Sequence, residues 1–147
     1  AGGSQPNANP IANFFVFEQS VRDGAFVAAG DLNGDGNAEL IAGGGPNGGP
    51  RVYIGDGKSL LATQDATASQ ISSFFAGDPN ARGGIRVAAR LFDSDRVADV
   101  VTGSGAGVPG EIRLYTGTAI RANPTNPAPT EALDPFGQIL ADGVYVG

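Results

Sequence analysis

The stretch "GAFVAAGDLNGDGNAELIAGGG" at residues 24–45 recurs sixty positions later as "GIRVAARLFDSDRVADVVTGSG" at residues 84–105, without a gap. The same register continues into "RVYIGDG" at 51–57, which aligns with "EIRLYTG" at 111–117. Self-similarity at a fixed period of this size is the signature of a repeat architecture. The sequence therefore predicts two complete structural units.

Partial copies of the unit flank these two. Upstream, "FFVF" at 14–17 aligns with "FFAG" at 74–77 in the same register. Downstream, "DGVYVG" at 142–147 is similar to "DGAFVA" at 23–28, with a shift of one residue from the expected period. The chain is therefore predicted to run from the last strand of one unit, through two full units, to the first strand of a further unit.

Each unit consists of short apolar and β-branched runs that end in Gly or Pro, which is typical of strands joined by turns. The predicted strands are AFVAAG, AELIAGG, PRVYIGDG and SSFFAGDPN in the first unit, and IRVAAR, ADVVTGS and EIRLYTG in the second. Alternation in the third strand predicts that Arg51 and Tyr53 face outward. The residues that it predicts to face inward are Val52, Ile54, Ile112 and Leu114.

About four short antiparallel strands per unit, without a sustained helical period, predict an all-β fold built from β-propeller-type blades. Such blades bury their apolar faces only against neighbouring blades. Small residues at 28–29 and 88–89 suit the strand nearest a crowded axis. A β-sandwich of two duplicated halves is the alternative. Residues 62–72 are predicted to form a polar connection, or else a helical turn, and the Pro-rich segment 117–131 an extended loop.

The predicted organisation has three parts. Residues 1–12 form a flexible polar leader, and residues 13–83 form the first unit with a preceding outer strand. Residues 84–147 form the second unit, with the Pro-rich loop and the first strand of a further unit. Because the chain contains no Met, we expect it to be processed or to be part of a longer polypeptide.

Composition excludes several classes of function. The chain has no Cys and no His, so it lacks a disulfide framework, the commonest general base and the commonest transition-metal ligand. The net charge is −6 and the arginines are scattered, which argues against a nucleic-acid partner. No apolar run is long enough to span a membrane.

An acidic loop follows the first predicted strand. Its oxygen-bearing side chains alternate along the chain, and a hard cation such as Ca²⁺ takes about six to eight oxygen ligands. Glycines at 34 and 36 allow the backbone to curl, and a cation would relieve the repulsion among carboxylates. The predicted calcium ligands are the side chains of Asp31, Asn33, Asp35 and Glu39 and the backbone carbonyl of Asn37. The alternative is that Asp, Asn and Gly only form a turn.

The loop begins like the calcium loop of an EF-hand but does not end like one. The opening D-x-N-x-D-G matches, whereas the bidentate glutamate of an EF-hand would fall where this chain has Ala42. The flanking segments are predicted strands, not helices. We therefore predict a calcium site between two strands, with its acidic ligand at Glu39.

The corresponding loop of the second unit is degenerate. Leu91 stands where the first unit has its first aspartate, and Arg96 replaces the glycine at the sharp bend. Asp93, Asp95 and Asp99 remain as candidate ligands. A loop without metal, held by turn hydrogen bonds and by pairing of Arg96 with Asp93 or Asp95, is the favoured prediction.

The stretch "VAAGDLNGDGNAELIAGGGPNGGPRVYIGDG" resembles the FG-GAP repeat, the blade of integrin α-chain propellers and of many secreted bacterial proteins. In the same way, "SFFAGDPNARGGIRVAA" resembles the link between consecutive bacterial blades. The resemblance covers roughly residues 14–117 and, more weakly, 132–147. It implies that the five predicted ligands bind calcium. It also implies a secreted or cell-surface structural or adhesion module whose partners are an extracellular protein, a polysaccharide or further copies of itself.

Two alternatives concern the function. Two blades leave open edges, so terminal strands near 12–18 and 143–147 could join copies into an extracellular filament or surface assembly. The chain could also be the propeller part of a polysaccharide-active enzyme, although no catalytic residue is predicted. The polar side chains considered for catalysis are instead interpreted as solvated or packed: Lys58, Tyr53, Tyr115, Tyr145, Asp56 and Glu111.

Overall fold

The computed structural model describes residues 10–147, so the predicted leader at 1–12 lies largely outside the described residues. Two four-stranded antiparallel sheets form the body of the protein. The first sheet consists of β1 (Ala25–Gly30), β2 (Glu39–Gly44), β3 (Arg51–Gly55) and β4 (Gln70–Phe75), in that order. The second consists of β5 (Ile85–Arg90), β6 (Asp99–Ser104), β8 (Ile112–Tyr115) and β9 (Glu131–Leu133). A small antiparallel pair joins β7 (Val108–Pro109) to β10 (Ile139–Leu140), and the helices are α1 (Gly57–Thr63) and α2 (Gly117–Ala122).

The predicted repeat is present in the structure. The first two strands of each sheet begin and end sixty residues apart, and a short helix follows the third strand in both units. Gly24, Gly84 and Gly143 precede the three copies of the first strand and share left-handed backbone angles, with φ of 79°, 70° and 71°. The all-β prediction of two four-stranded, blade-like sheets is therefore confirmed.

The main core lies between the two sheets. One face of the first sheet packs against one face of the second, and the rings of Phe74 and Tyr115 meet with their centroids 4.9 Å apart. The larger side chains buried in this core include Ile41, Val52, Ile54, Phe74, Ile85, Val87, Val100 and Tyr115. Each sheet thus covers an apolar face of the other, as the repeat predicts.

The backbones of the two units approach closely where β2 meets β5. A Cβ atom on Gly43 would lie 2.3 Å from the carbonyl oxygen of Ile85. At the equivalent position of the second unit, a Cβ atom on Gly103 would lie 2.2 Å from the carbonyl oxygen of Val144. Residues near Val144 therefore occupy the place on the second unit that β5 occupies on the first, and glycine is required at both contacts.

The terminal segments are not strands, so this prediction was wrong. Residues 12–18 and 143–147 belong to no sheet of the described chain. The later segment contacts β6 through a backbone hydrogen bond from Val144 N–H to the Ser104 oxygen, at 2.9 Å. Neither segment forms the ladder of backbone hydrogen bonds with a neighbouring strand that would make it part of a sheet.

The segment at 14–17 covers the outer face of the first sheet. Phe14, Val16 and Phe17 pack against Ala42 and Tyr53. The tyrosine is consequently buried, and its hydroxyl donates to the Ala66 carbonyl oxygen at 2.6 Å. Tyr53 was predicted to face outward and therefore to be exposed, and the exposure was wrong. Alternation along a strand distinguishes the two faces of a sheet, but it does not show whether another segment covers the outer face.

The prediction for the third strand of the second unit was also wrong. Ile112 and Leu114 are only half-buried, whereas their neighbour Tyr115 is fully buried. The reason is that the second sheet turns its other face, which carries Thr102 and Tyr115, toward the first sheet.

Short helices replace parts of the predicted connections. Asp56 caps α1 by accepting from Ser59 N–H at 2.6 Å, and Thr116 caps α2 by accepting from Ala119 N–H at 3.2 Å. α2 occupies the start of the segment predicted as an extended loop, and α1 reaches into the predicted polar connection. Each helix buries essentially one large side chain, so its sequence shows no helical periodicity of apolar residues. No helix of the described chain is long and apolar enough to cross a membrane.

Replacing Tyr53 by Phe should reveal how its burial links stability to pH. Burial, aided by the negative charge of Asp65, raises the pKa of Tyr53 from 10.0 to about 12. The neutral hydroxyl therefore stabilises the fold below pH 10, and this contribution is lost as the pH rises toward 12. At neutral pH we expect Tyr53→Phe to lose about 1 kcal/mol of unfolding free energy, the typical net value of a hydrogen bond.

Urea unfolding of both chains across this pH range checks the prediction, and the gap should shrink as the pH passes 10. Tyr145→Phe is the control, because that side chain is exposed and should give no such gap. A gap that stays constant to the end of the range would contradict the account.

Candidate functional site: the acidic loop between β1 and β2

Asp31 is the centre around which the acidic loop curls. Its Oδ1 atom accepts from Gly34 N–H at 2.6 Å and from Asp35 N–H at 3.2 Å, and its Oδ2 atom accepts from Gly36 N–H at 2.8 Å. These backbone donors, that of Gly36 foremost, lower the pKa of Asp31. Gly34 and Gly36 have φ of 80° and 85°, which L side chains rarely adopt, so the curl depends on glycine.

The next two polar residues form consecutive turns. The Oδ1 atom of Asn33 accepts from Asp35 N–H at 2.8 Å, and the Oδ1 atom of Asp35 accepts from Asn37 N–H at the same distance. The side chains of Asn33, Asp35 and Asn37 are all exposed. The loop thus presents alternate oxygen-bearing side chains at its rim, in agreement with the predicted spacing.

Glu39 lies inside the loop, at the start of β2, and is fully buried. Its Oε2 atom accepts from Leu32 N–H at 2.7 Å, and its Oε1 atom accepts from the Asn33 side-chain amide at 3.3 Å. Burial raises the pKa of Glu39, the Leu32 N–H partly opposes this, and the nearby charges of Asp35 and Asp31 raise it further. The Glu39 carboxylate therefore acts as a clamp: its two hydrogen bonds hold the beginning of the loop against the start of β2.

The donor types of the loop fit a hard cation, although they are not gathered around one point. Among residues 10–147 no group of three or more acidic side chains is placed to hold a metal ion. An ionised carboxylate offers about four acceptor sites, so Asp31 keeps capacity beyond its three backbone donors. Asn33 and Asp35 also keep acceptor capacity at the rim. The assignment of all five predicted ligands, Glu39 included, stays a prediction.

The second loop repeats the turn hydrogen bonds of the first. Phe92 N–H donates to Asp99 Oδ2 at 2.9 Å, which matches the contact between Leu32 and Glu39 in the first unit. Asp95 N–H donates to Asp93 at 3.0 Å. The predicted turn hydrogen bonds are present, but no counterpart of the Asp31 curl is formed.

Arg96 does not pair with an aspartate, so this prediction was wrong. The ion pairs of the described chain join Arg51 to Glu18 and Arg113 to Glu111. Arg96 instead adopts the left-handed backbone, with φ of 65°, at the position of a loop glycine in the first unit.

The pKa values of the two rim aspartates of the second loop are shifted in opposite directions. For Asp93, the Asp95 N–H lowers the pKa, but the hydrogen bond and charge of the Asp95 carboxyl raise it overall. For Asp95, the Val97 N–H lowers the pKa most, and the charge of Arg121 on α2 contributes in the same direction. The nearby cation is therefore Arg121 rather than Arg96.

The first acidic loop also contacts the second unit. The backbone carbonyl of Asp31 accepts from Ala98 N–H at 2.7 Å, and Arg121 Nη1 donates to the Leu32 carbonyl. The Leu32 side chain is buried in the core between the sheets. Sequence reasoning missed this function of the loop. One signal was available, because Leu32 is the single apolar residue within the polar run at 31–37.

Comparisons of this chain with protein-family models, with curated proteins and with solved structures found no match. The resemblance to FG-GAP repeats therefore stays a prediction from the residues that carry it.

Truncation of Leu32 should weaken the contact between the loop and the second unit. Because this side chain is only 4% exposed, we expect Leu32→Ala to lower the unfolding free energy by about 2–4 kcal/mol, the usual range for a buried leucine. Phe92→Ala is the matched control, since Phe92 occupies the same repeat position but is 55% exposed. Equal losses in the two variants, measured by urea unfolding, would contradict the assignment.

Proposed function

We propose that this protein is an extracellular structural or adhesion module in which calcium binds the acidic loop at residues 31–39. The observation that carries the proposal is the dual position of Asp31. Its carboxylate organises the curl of the loop, and its backbone carbonyl accepts from Ala98 N–H of the second unit. An ion that fixes the loop would therefore also fix the contact between the two units.

The proposed ion would supply positive charge among several carboxylates that otherwise repel one another. Asp31, Asn33 and Asp35 would hold it with side-chain oxygens, and Asn37 with its carbonyl. Glu39 would complete the set from the base of the loop, or would keep its present contacts and position Leu32 and Asn33. These are the oxygen donors that calcium takes in proteins.

The proposed location is outside the cell or on its surface. Extracellular modules commonly use calcium sites of modest affinity, since calcium is abundant there. The chain has no His and no Cys that would suit transition-metal chemistry instead. As an adhesion module it would bind an extracellular protein or a polysaccharide through its exposed loops.

Thermal unfolding with EDTA and across a calcium titration tests the proposal. Calcium should raise the midpoint of the parent chain in a saturable way, because a ligand of the native state stabilises by mass action. At a hundredfold excess over the dissociation constant the gain is about 2.7 kcal/mol. Asp31→Asn should lose most of the gain. Asp78→Asn, which alters an exposed turn aspartate outside the loop, should keep it.

The second loop offers a complementary variant. Leu91→Asp combined with Arg96→Gly restores the first aspartate and the bend glycine that the loop of the first unit has at the equivalent positions. Isothermal titration calorimetry should then detect a second calcium site that the parent lacks. If the parent takes up no calcium, or Asp31→Asn responds as the parent does, the loop is a turn without a metal function.

A second candidate function, a subunit of an extracellular assembly, is favoured by the outer faces of the two sheets. Val27 on β1 is 66% exposed, whereas its repeat equivalent Val87 is 6% exposed because the first unit covers it. In the same way, Phe92 is exposed where its equivalent Leu32 is buried. The exposed apolar residues on each outer face are therefore the repeat equivalents of residues that are buried between the two units.

The surfaces proposed to meet on the two outer faces are both apolar. The loop of the second unit has Leu91 where the first has Asp31, and α1 has Leu61 where α2 has Arg121. The surface near Leu61 is an open groove of about 1020 Å³ between α1, β2 and the N-terminal segment. The apolar pair Leu91 and Phe92 thus corresponds to an apolar receiving surface, and in this proposal Phe92 of one copy enters the groove of the next.

Such a contact is heterologous, so it would extend head to tail into a ring or a filament. The incoming β1 would take the place that residues near Val144 hold on Gly103. That segment would therefore have to move aside, and it pairs with no strand of the described chain. The assembly would accordingly use the faces of the sheets rather than terminal strands.

Sedimentation velocity over a range of protein concentrations tests this candidate. The parent should associate, and Phe92→Asp and Leu61→Asp should each remain monomeric. A mixture of the two variants should form dimers but no larger species, because one intact loop and one intact groove remain. Unchanged association of either variant, or no association of the parent, would rule out this contact.

A further inference from the structure

We propose that Asn33 is a site of intramolecular deamidation that its neighbours in the acidic loop promote. Asn33 precedes Gly34, and both residues are exposed. The backbone nitrogen of Gly34 attacks the side-chain carbonyl carbon of Asn33 and loses its proton. The new C–N bond closes a five-membered succinimide and the bond to Nδ2 breaks. The proton that Gly34 loses ends on the departing nitrogen, which leaves as ammonia.

Water then opens the succinimide at either of its two carbonyl carbons. One opening gives aspartate and the other gives isoaspartate, in which the backbone runs through the side-chain carbonyl. The net change is the replacement of an amide nitrogen by oxygen, with water consumed and ammonia released. No oxidant, reductant or further reactant is required.

Three hydrogen bonds of the loop involve the three atoms that change in this reaction: the attacking nitrogen, the carbonyl oxygen and the departing nitrogen. Gly34 N–H, the group that must lose a proton, donates to Asp31 Oδ1 at 2.6 Å. The Oδ1 atom of Asn33, on which negative charge develops, accepts from Asp35 N–H at 2.8 Å. The Nδ2 atom, which departs, lies 3.3 Å from Glu39 Oε1. A proton acceptor and an oxyanion donor positioned in this way lower the barriers of acyl transfer.

The chain supplies its own comparison at Asn47 and Gly48, the other Asn–Gly pair of the sequence. There the glycine N–H donates to the carbonyl oxygen of Gly45 at 3.0 Å, and a carbonyl is a poor proton acceptor. The Asn47 amide donates to Asp23 at 3.0 Å, so it has a carboxylate beside its leaving group. What distinguishes the Asn33 site is therefore the carboxylate at the attacking nitrogen.

Modification would change the loop in two ways. The aspartate product makes the loop D-x-D-x-D-G, which adds a carboxylate where the calcium proposal has an amide ligand. The isoaspartate product lengthens the backbone within the curl, so the hydrogen bonds of Asp31 to Gly34, Asp35 and Gly36 could not all persist. Only the consequence for calcium rests on the proposed function.

Peptide mapping by mass spectrometry, with separation of aspartate from isoaspartate, tests the proposal. The full chain is incubated at neutral pH in EDTA, below its unfolding temperature, so that the outcome does not depend on calcium. We expect Asn33 to react faster than Asn47 by about tenfold or more, a lower bound set below the roughly 10²–10⁴-fold that a positioned proton acceptor typically contributes. Asp31→Asn should slow the reaction at Asn33 and leave Asn47 unchanged.

The same incubation in concentrated urea removes the folded geometry without a substitution, and the two sites should then react at similar rates. Equal or faster reaction at Asn47 in the folded chain would overturn the proposal. So would a rate difference that persists in urea, because it would belong to the local sequence rather than to the loop.

Discussion

The packing of the first sheet against the second creates the main core of the protein and determines where its loops lie. A four-stranded sheet with two apolar faces cannot remain uncovered in water, and each sheet here covers one face of the other. The close approach of β5 to Gly43 shows how tight this contact is, since any side chain at that glycine would collide with the backbone of Ile85. The same contact explains why the glycine recurs at Gly103, since the second unit is approached equally closely there by the backbone of Val144.

The acidic loop is a consequence of the same contact. It reaches from the first sheet to the second, so its backbone must be held in one conformation while it carries several negative charges. The fold achieves this with backbone N–H donors around Asp31 and a buried clamp at Glu39. Burial at the base of the loop raises the pKa of Glu39, and hydrogen bonds from the backbone lower the pKa of Asp31.

Much of the fold and of the loop could be predicted from the sequence, because each pattern of residues occurs in both units and the two copies support the same interpretation. The positions of β1 and β5 and the alternation of the loop follow from aligned residues, and the turn hydrogen bonds follow from Asp and Asn chemistry. The helices could not be predicted, since α2 depends on the cap at Thr116 and on one buried side chain. The inward position of Glu39 and the bridge from Arg121 to the Leu32 carbonyl depend on where the second unit lies, which no local pattern contains.

The loop links the two units through the contact between Asp31 and Ala98, and in the proposed function an ion bound there strengthens this link. Hydrogen exchange of the Ala98 amide tests it most directly, because this donor belongs to the second unit and its acceptor is the Asp31 carbonyl of the first. Calcium bound as proposed should slow exchange at Ala98 together with Gly34 and Gly36 in the loop. Protection confined to the loop amides, or unchanged exchange at all three, would contradict it.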